Sequence, residues 1–208
     1  MKNLENIDFL IFDLGNVIID IDYDFSINEL KKNIPTQKFE LTSLFFPSKF
    51  HKDYEKGLIS TDEFRNEIRK HFDLPLSNQQ IDHVWNSLLR TIPQSRINIL
   101  RELRGRFGTA ILSNTNSLHI DAFEQMIKEQ TNETSIYNLC DHVFLSHQLG
   151  LAKPDVAIYE TVLEKIKVKP ARVLFFDDLE SNLNGAEKLG IKTQLITKDY
   201  GIEDFFKN

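Results

Sequence analysis

The chain has 208 residues, with 31 acidic and 25 basic side chains, and its formal charge at neutral pH is −6. Nucleic-acid binding depends on an extended basic surface that neutralises phosphates, so this balance argues against a nucleic-acid partner. Apolar residues make up 41% of the chain, which is enough to bury a core, and no apolar run approaches the roughly 18 residues of a membrane span.

The single cysteine and the N-terminal sequence bear on location. Cys140 is alone, which excludes an internal disulfide and a cysteine zinc site and is typical of a reducing compartment. The first apolar run is interrupted by Asp8 and stopped by Asp13, unlike a signal peptide. We therefore expect a cytoplasmic protein that does not associate with a membrane.

Five short apolar runs predict the strands of a sheet. In chain order they are Ile7–Phe12, Thr109–Leu112, His142–Leu145, Val173–Phe176 and Thr193–Ile196. Three of them lack polar alternation, as expected of strands covered on both faces, and amphipathic helical segments separate them. This pattern predicts an α/β fold with a doubly wound parallel sheet.

The connection between the first two predicted strands is unusually long. A strand, its crossover helix and the next parallel strand take roughly 30 residues, but this connection is about three times that length. Prolines and glycines divide it into segments of helical pattern. These segments are Tyr23–Lys32, Gln37–Phe45, Lys49–Lys56, Ser60–Phe72 and Ser77–Leu89. We predict a core formed by residues 1–19 and 93–208, and a small helical cap domain formed by residues 20–92.

Polar residues follow the predicted strands, at the edge where open α/β sheets bind ligands. In chain order they are Asp13, the pair Ser113-Asn114, the pair Lys153-Pro154, and Asp177-Asp178 with Asn182 nearby. Each of them, taken singly, is a common turn or cap residue. Together they place three carboxylates at adjacent strand ends, where two unit charges 4 Å apart repel by roughly 4 kcal/mol at an effective dielectric of about 20.

A cation has to balance such a cluster. Oxygen ligands without histidine favour Mg²⁺, which usually takes one or two carboxylates and phosphate oxygens. The lysine and the hydroxyl-amide pair are then left to bind the other phosphate oxygens. This combination predicts a phosphoryl-transfer site with a carboxylate available as nucleophile.

The four segments occur in the order of the four motifs of the haloacid dehalogenase-like hydrolase superfamily, which the chain resembles over essentially its whole length. The stretches FDLGNVIIDID, LSNTNSLH and FFDDLESN are most similar to the branch of sugar-phosphate phosphatases that includes α-D-glucose-1-phosphate phosphatase. The resemblance implies a Rossmann-like core, a helical cap inserted after the first motif, and Mg²⁺ as cofactor. It also implies hydrolysis of a small phosphorylated metabolite, with a sugar phosphate as the expected substrate.

The resemblance also implies which residues hold the metal. Asp13 would be the nucleophile that forms an aspartyl-phosphate, and its carboxylate would also ligate Mg²⁺. The backbone carbonyl of Gly15 and the carboxylate of Asp178 would complete the protein ligands. Asp177 and Asn182 would occupy supporting positions.

A second group of residues would bind the phosphate. By the same resemblance, Ser113 and the backbone of Asn114 would contact the phosphoryl oxygens. Lys153 would neutralise both the phosphate and Asp13, and so allow a dianionic substrate to approach an anionic nucleophile.

The chain departs from the family pattern at Gly15. Most phosphatases of the superfamily have there a second aspartate, which protonates the leaving oxygen and later activates water. Positioned acid–base catalysis is typically worth about 10² to 10⁴ in rate. Three explanations stay open, and the one we favour is a leaving group that needs little protonation, such as that of an anomeric hexose phosphate.

The other two explanations concern the cap and the activity itself. A cap residue could supply the proton, since four candidates share one predicted helix: His51, Asp53, Tyr54 and Glu55. Alternatively, the chain is a catalytically weakened protein that binds or senses a phosphorylated metabolite. His119, just after the second motif, is a further residue that could face the site.

A 2-haloacid dehalogenase is the alternative enzyme. Dehalogenases of this superfamily also use an aspartate nucleophile without the second aspartate, but they need no metal. In that reaction Asp177 and Asp178 would have no obvious charge to bind, so the sequence favours phosphate over halide. The identity of the substrate, the cap residues that select it and the oligomeric state cannot be read from the sequence.

Overall fold

A computed structural model describes residues 4–207, so that residues 1–3 and 208 of the predicted core lie outside the described part. Within residues 4–207, five strands form one sheet in the order β3-β2-β1-β4-β5. The strands are β1 (Phe9–Phe12), β2 (Gly108–Ser113), β3 (His142–Leu145), β4 (Val173–Asp177) and β5 (Lys192–Leu195). All neighbouring pairs run parallel. The predicted α/β class with a parallel sheet is confirmed.

Helices cover both faces of this sheet. They are α5 (Gln94–Leu103), α6 (Ser117–Gln130), α7 (Ser146–Leu149), α8 (Val156–Ile166), α9 (Glu180–Glu187) and α10 (Ile202–Lys207). Alternate residues of a strand point to opposite faces. Accordingly, Leu10 and Phe12 of β1 belong to a core with α5, α6 and α10, whereas Phe9 and Ile11 belong to a core with α8 and α9. Burial on both faces is the reason that β1 shows no polar alternation.

The residues between β1 and β2 form a separate layer of helices. They are α1 (Tyr23–Lys31), a 3₁₀ helix (Thr36–Leu44), α2 (Lys49–Glu55), α3 (Thr61–Phe72) and α4 (Asn78–Asn86). The sequence predicts a helix at each of these places, but the second is a 3₁₀ helix rather than an α-helix. Pro35 precedes it without a side-chain cap, and Thr42 is its one fully buried residue. Its apolar residues Phe39 and Leu41 are only partly buried against the cap core, so tertiary packing stabilises an α-helical form here less than in the other cap helices.

The inserted helices have a hydrophobic core of their own. Trp85 and Phe64 lie at its centre, fully buried, with their rings 4.5 Å apart. The two chain segments that connect this layer with the sheet are hydrogen-bonded to each other: Asp22 N donates to Leu88 O, and Arg90 N donates to Asp20 O. These hydrogen bonds support the cap boundaries at residues 20 and 92, which we keep as a proposal.

The helices of the described region are short. The longest, α6, has 14 residues. No helix of residues 4–207 combines the length and the apolar character needed to cross a bilayer.

One glycine allows α9 to lie close to the loop that follows α7. A Cβ atom on Gly185 would lie 2.5 Å from the carbonyl oxygen of Pro154 and 2.9 Å from Cε2 of Tyr159. Backbone atoms cannot move away as the end of a flexible side chain can. The close approach brings two predicted site residues, Lys153 and Asn182, to the same edge of the sheet.

We predict that Gly185→Ala lowers the free energy of unfolding by about 1 to 3 kcal/mol, because overpacking outweighs the better helix propensity of alanine. Urea denaturation measures the change. Asn184→Ala, at an exposed position of the same helix, is the control and should change stability by less than about 0.5 kcal/mol. Equal stabilities for Gly185→Ala and the unchanged protein would contradict the close approach.

Candidate active site

A buried lysine joins two carboxylates at the carboxyl edge of the sheet. Asp13 follows β1, Asp177 ends β4, and Lys153 comes from the loop between α7 and α8. The Lys153 Nζ atom lies 2.8 Å from Asp13 Oδ1 and 2.6 Å from Asp177 Oδ2. Lys153 is 4% exposed and Asp177 is completely buried. One enclosed ammonium group therefore faces two enclosed carboxylates.

A third carboxylate, Asp178, completes an acidic cluster. One oxygen from each of Asp13, Asp177 and Asp178 lies within 4.8 Å of the other two. Burial raises the pKa of Asp13 to about 7 against the lowering effect of Lys153, and the other two carboxylates raise it further. Burial also raises the pKa of Asp178, although a hydrogen bond from Asn16 opposes this. The cluster carries more negative charge than one lysine balances, and its oxygen donors fit a hard divalent cation such as Mg²⁺.

The two aspartates of the last motif differ in their surroundings. Asn182 Nδ2 lies 3.0 and 3.1 Å from the two oxygens of Asp177, and Leu179 N donates to Asp177 Oδ1 at 2.9 Å. Protein donors thus surround Asp177, whereas Asp178 is less buried and accepts from one side chain, Asn16. This contrast favours the predicted division, in which Asp178 is a ligand and Asp177 and Asn182 are supporting residues.

Asn16 is a site residue to which the sequence assigned no role. Its Nδ2 donates to Asp178 Oδ2 at 2.8 Å, and its Oδ1 accepts from Ile21 N at 3.1 Å. The backbone has φ 54°, in the left-handed region that asparagine enters more readily than most residues. The available signal was an asparagine in the turn after the nucleophile, but its partner lies 162 positions away in the chain.

The loop after β2 contacts the loop that carries Lys153. Asn114 Nδ2 donates to Lys153 O, and Lys153 N donates to Asn114 Oδ1, both at 2.8 Å. Both polar atoms of the Asn114 side chain are therefore used in this contact between loops, so a ligand would have to bind Asn114 through its backbone. Ser113 is buried, and its hydroxyl makes only a long 3.5 Å contact with Asn114 O.

Gly15, where most related phosphatases have a second aspartate, borders a cavity of about 50 Å³ between the sheet edge and the cap. Ser113 and Asn114 line the same cavity from the core, and Tyr23 lines it from α1. A Cβ atom on Gly15 would lie 3.0 Å from Cδ1 of Ile21, which packs into this space. The cavity thus lies between the cap and the loops that follow β1 and β2.

Four cap residues were predicted to lie on one helix, and two of them line this cavity. His51 and Glu55 both line it, with His51 Nε2 3.1 Å from Glu55 Oε1. Burial lowers the pKa of His51, but the hydrogen bond to Glu55 and its negative charge raise it, and the net direction is upward. Asp53 pairs with a surface lysine, and the Tyr54 hydroxyl contacts two other hydroxyls.

His119 also lines the cavity, but its ring is occupied by structural contacts. Nε2 lies 3.1 Å from Trp85 O, and Nδ1 lies 3.1 Å from Asn116 Nδ2. The ring stacks on Trp85 with centroids 4.9 Å apart. Burial lowers the pKa of His119 to about 4, so that it is uncharged at neutral pH. These contacts indicate a packing role.

Residues 7–190 match the family described as haloacid dehalogenase-like hydrolase. A D-ribitol-5-phosphate phosphatase from Bacteroides thetaiotaomicron is 26% identical over 190 residues, which cover 88% of this chain and 89% of the relative. The crystal structure of a HAD family enzyme from the same species, in complex with magnesium and inorganic phosphate, is similar with a TM-score of 0.80. Its sequence is 33% identical, and the match covers 91% of this chain and 93% of that one.

The dehalogenase alternative has a more distant counterpart. An L-2-haloacid dehalogenase from Xanthobacter autotrophicus has a TM-score of 0.62 at 18% identity, covering 93% of this chain and 80% of that one, which shows a shared fold alone. The resemblance drawn from the four motifs is confirmed at the level of the family, whereas the glucose-1-phosphate phosphatase branch stays a prediction. With a match over most of its length and an aspartate cluster at the carboxyl edge of a parallel sheet, this chain belongs to the haloacid dehalogenase-like hydrolase family.

Proposed function

We propose that the chain is a Mg²⁺-dependent phosphatase that hydrolyses a small phosphorylated metabolite through an aspartyl-phosphate on Asp13. The observation that carries this proposal is the cluster of three carboxylates around the single ammonium of Lys153. The D-ribitol-5-phosphate phosphatase and the enzyme crystallised with magnesium and phosphate support it, since both match nearly the whole chain.

The metal site that we propose uses Asp13, Asp178 and the backbone carbonyl of Gly15. Mg²⁺ bound there supplies positive charge that screens the phosphate from the carboxylates and stabilises charge in the transition state. Asn16 would hold the Asp178 carboxylate in place through its 2.8 Å hydrogen bond. A metal-free dehalogenase reaction would leave Lys153 as the cation among three carboxylates, with the remaining negative charge unbalanced.

The Asp13 carboxylate is oriented for attack by two donors on one of its oxygens. Leu14 N donates to Oδ1 at 2.6 Å, and Lys153 Nζ lies 2.8 Å from the same atom. Oδ2 is therefore the oxygen that we assign as nucleophile. Its attack on phosphorus breaks the bond to the leaving oxygen, and water then releases phosphate from Asp13. Ser113 and the Asn114 backbone bind the phosphoryl oxygens during both steps.

The substrate class that we propose is a phosphorylated sugar or polyol. Gly15 favours an anomeric hexose phosphate, because its leaving oxygen is less basic than an ordinary alkoxide. The relative named as a D-ribitol-5-phosphate phosphatase supports a polyol instead. Ligand pockets commonly measure roughly 300 Å³ or more, so the cap has to move before such a molecule enters the cavity of about 50 Å³.

Asp13→Asn should abolish phosphate release and leave the protein folded. The amide has the shape of the carboxylate, but it is not a nucleophile, and the Lys153–Asp177 pair remains. Phosphate release and urea denaturation measure the two effects. Substantial residual turnover would rule out Asp13 as the nucleophile.

A panel of anomeric sugar phosphates, terminal sugar phosphates and polyol phosphates, assayed with and without Mg²⁺, tests the activity. We expect phosphate release that disappears on removal of Mg²⁺ with EDTA and returns when Mg²⁺ is added. Tight Mg²⁺-dependent binding without turnover would favour a regulatory protein. Halide release from 2-haloacids without metal would favour a dehalogenase.

Lys153→Met should lower the free energy of unfolding by about 3 to 5 kcal/mol in the absence of Mg²⁺, because it leaves two buried carboxylates without their cation. Urea denaturation measures the loss. Lys56→Met is the control, since Lys56 forms a more exposed ion pair with Asp155 at 3.0 Å, which should be worth less than about 1 kcal/mol. Similar losses in the two variants would contradict the charge balance proposed for Lys153.

A further inference from the structure

We propose that Glu55, held by His51 on cap helix α2, is the acid–base group that the core lacks at Gly15. The inference rests on the proposed function, because hydrolysis of an alkyl phosphate ester needs a proton for the leaving oxygen. It assigns the general acid to the cap rather than to the loop after β1, and it replaces the expectation, drawn from Gly15 alone, that the leaving group needs little protonation.

The pair lines the same cavity as Gly15, where the missing aspartate would stand. Glu55, His51 and Gly15 border one cavity, and the side chains of His51 and Glu55 are 12% and 21% exposed. Tyr23, the first residue of cap helix α1, lines the same cavity. Loss of solvent raises the pKa of Tyr23, and the negative charges of Glu55 and Asp13 raise it further. Tyr23 is therefore close enough to both carboxylates to respond to their charges.

The core fixes Glu55 at the end of α2. Ser146 Oγ lies 2.5 Å from the carbonyl oxygen of Glu55, and Thr115 N donates to the same hydroxyl at 2.9 Å. Thr115 directly follows the residues that we assign to phosphate binding. Gly57 has φ 65°, and a Cβ atom there would lie 2.2 Å from His147 O. The cap backbone therefore rests on the core at this point, which sets the place of Glu55 relative to the phosphate loop.

The hydrogen bonds of His51 lead us to infer that the pair stores one proton. Nδ1 faces the carbonyl oxygen of Phe46, which can only accept, so Nδ1 carries a hydrogen. Nε2 lies 3.1 Å from Glu55 Oε1, and we assign one further proton to this contact. Without it, the Nε2 lone pair would face a carboxylate, and this repulsion makes the pair take a proton back. A group of this kind can act first as an acid and then as a base.

The other titratable groups around the pair are less suited to the task. His119 has both ring nitrogens occupied and a pKa lowered by burial to about 4. The pKa of Tyr23 is raised, which makes its hydroxyl a poorer acid. Lys52, on the same helix, acts on His51 only as a nearby positive charge that lowers its pKa.

The proton balance of the reaction closes with this pair. As Asp13 Oδ2 forms its bond to phosphorus, the bond from phosphorus to the leaving oxygen breaks, and the proton stored between Glu55 and His51 moves to that oxygen. In the second step a water oxygen attacks the phosphorus, its proton returns to the pair, and the bond from Asp13 to phosphorus breaks. Phosphate leaves and the starting protonation state is restored.

Glu55→Gln tests the assignment through its dependence on the leaving group. We compare D-ribitol 5-phosphate, or the best alkyl phosphate of the panel, with 4-nitrophenyl phosphate, whose phenolate leaves without a proton. The kcat/KM for the alkyl phosphate should fall about 10²-fold or more, with a much smaller fall for the aryl ester. Slow hydrolysis of the aspartyl-phosphate should give a burst of nitrophenol and a trapped covalent phosphate, which a structural role would not produce.

Asp53→Asn is the matched control on the same helix. It removes a carboxylate and an exposed ion pair with Lys49, and it should leave kcat/KM unchanged for both substrates. Gly15→Asp in the Glu55→Gln background should restore turnover of the alkyl phosphate. The atoms that a Cβ atom at this position approaches most closely belong to Ile21, and the nearest is the side-chain end, Cδ1, at 3.0 Å.

The outcomes separate the two proposals. Equal losses for both substrates without a burst, or no rescue by Gly15→Asp in a folded protein, would overturn the role of Glu55 and leave the phosphatase intact. Absence of phosphate release by the unchanged protein from every substrate would overturn the proposed function itself.

Discussion

The ammonium group of Lys153, enclosed between Asp13 and Asp177, is the interaction on which the site depends. β1 and β4 are neighbours in the sheet, so their aspartates meet at one edge, and their charges can share that space only with a cation between them. Asn114 fixes the lysine backbone by two hydrogen bonds from the loop after β2. The ends of β1, β2 and β4 and the loop between α7 and α8 are therefore held together by one buried charge and its hydrogen-bonded supports, before any metal or substrate is considered.

The placement of an acid on the cap couples chemistry to closure. Glu55 reaches the cavity only while the end of α2 rests on Ser146 and, through this hydroxyl, on Thr115. When the cap moves to admit substrate, the proton store moves with it. Proton transfer to the leaving group and activation of water then both require the closed form, in which bulk solvent is excluded.

Much of the fold followed from the sequence because buried parallel strands and amphipathic helices leave strong periodic patterns. The sequence also indicated which side chains would meet at the carboxyl edge, because parallel strands end at one edge of the sheet, where ligands bind; the roles of these side chains stay a proposal. The pattern also held a signal for the cap: His51 and Glu55 are four residues apart and share a helix face, which Asp53 does not. Which face turns to the core depends on tertiary contacts. The hydrogen bond from Asn16 to Asp178 could not be predicted either, because nothing in the sequence around Asn16 indicates its partner.

The glycine at position 15 removes an aspartate and also leaves room for another side chain. The place of its side chain is taken by Cδ1 of Ile21, 3.0 Å from where a Cβ atom would lie. This methyl group is an apolar part of the cavity lining that Glu55 and His51 share, and charges interact more strongly in less polar surroundings. We therefore expect the packing that replaces an acid on the core to strengthen the contact between Glu55 and His51 on the cap. An aspartate on the core and a carboxylate on the cap are in this sense alternative solutions to one problem, because they compete for the same small space beside the leaving oxygen.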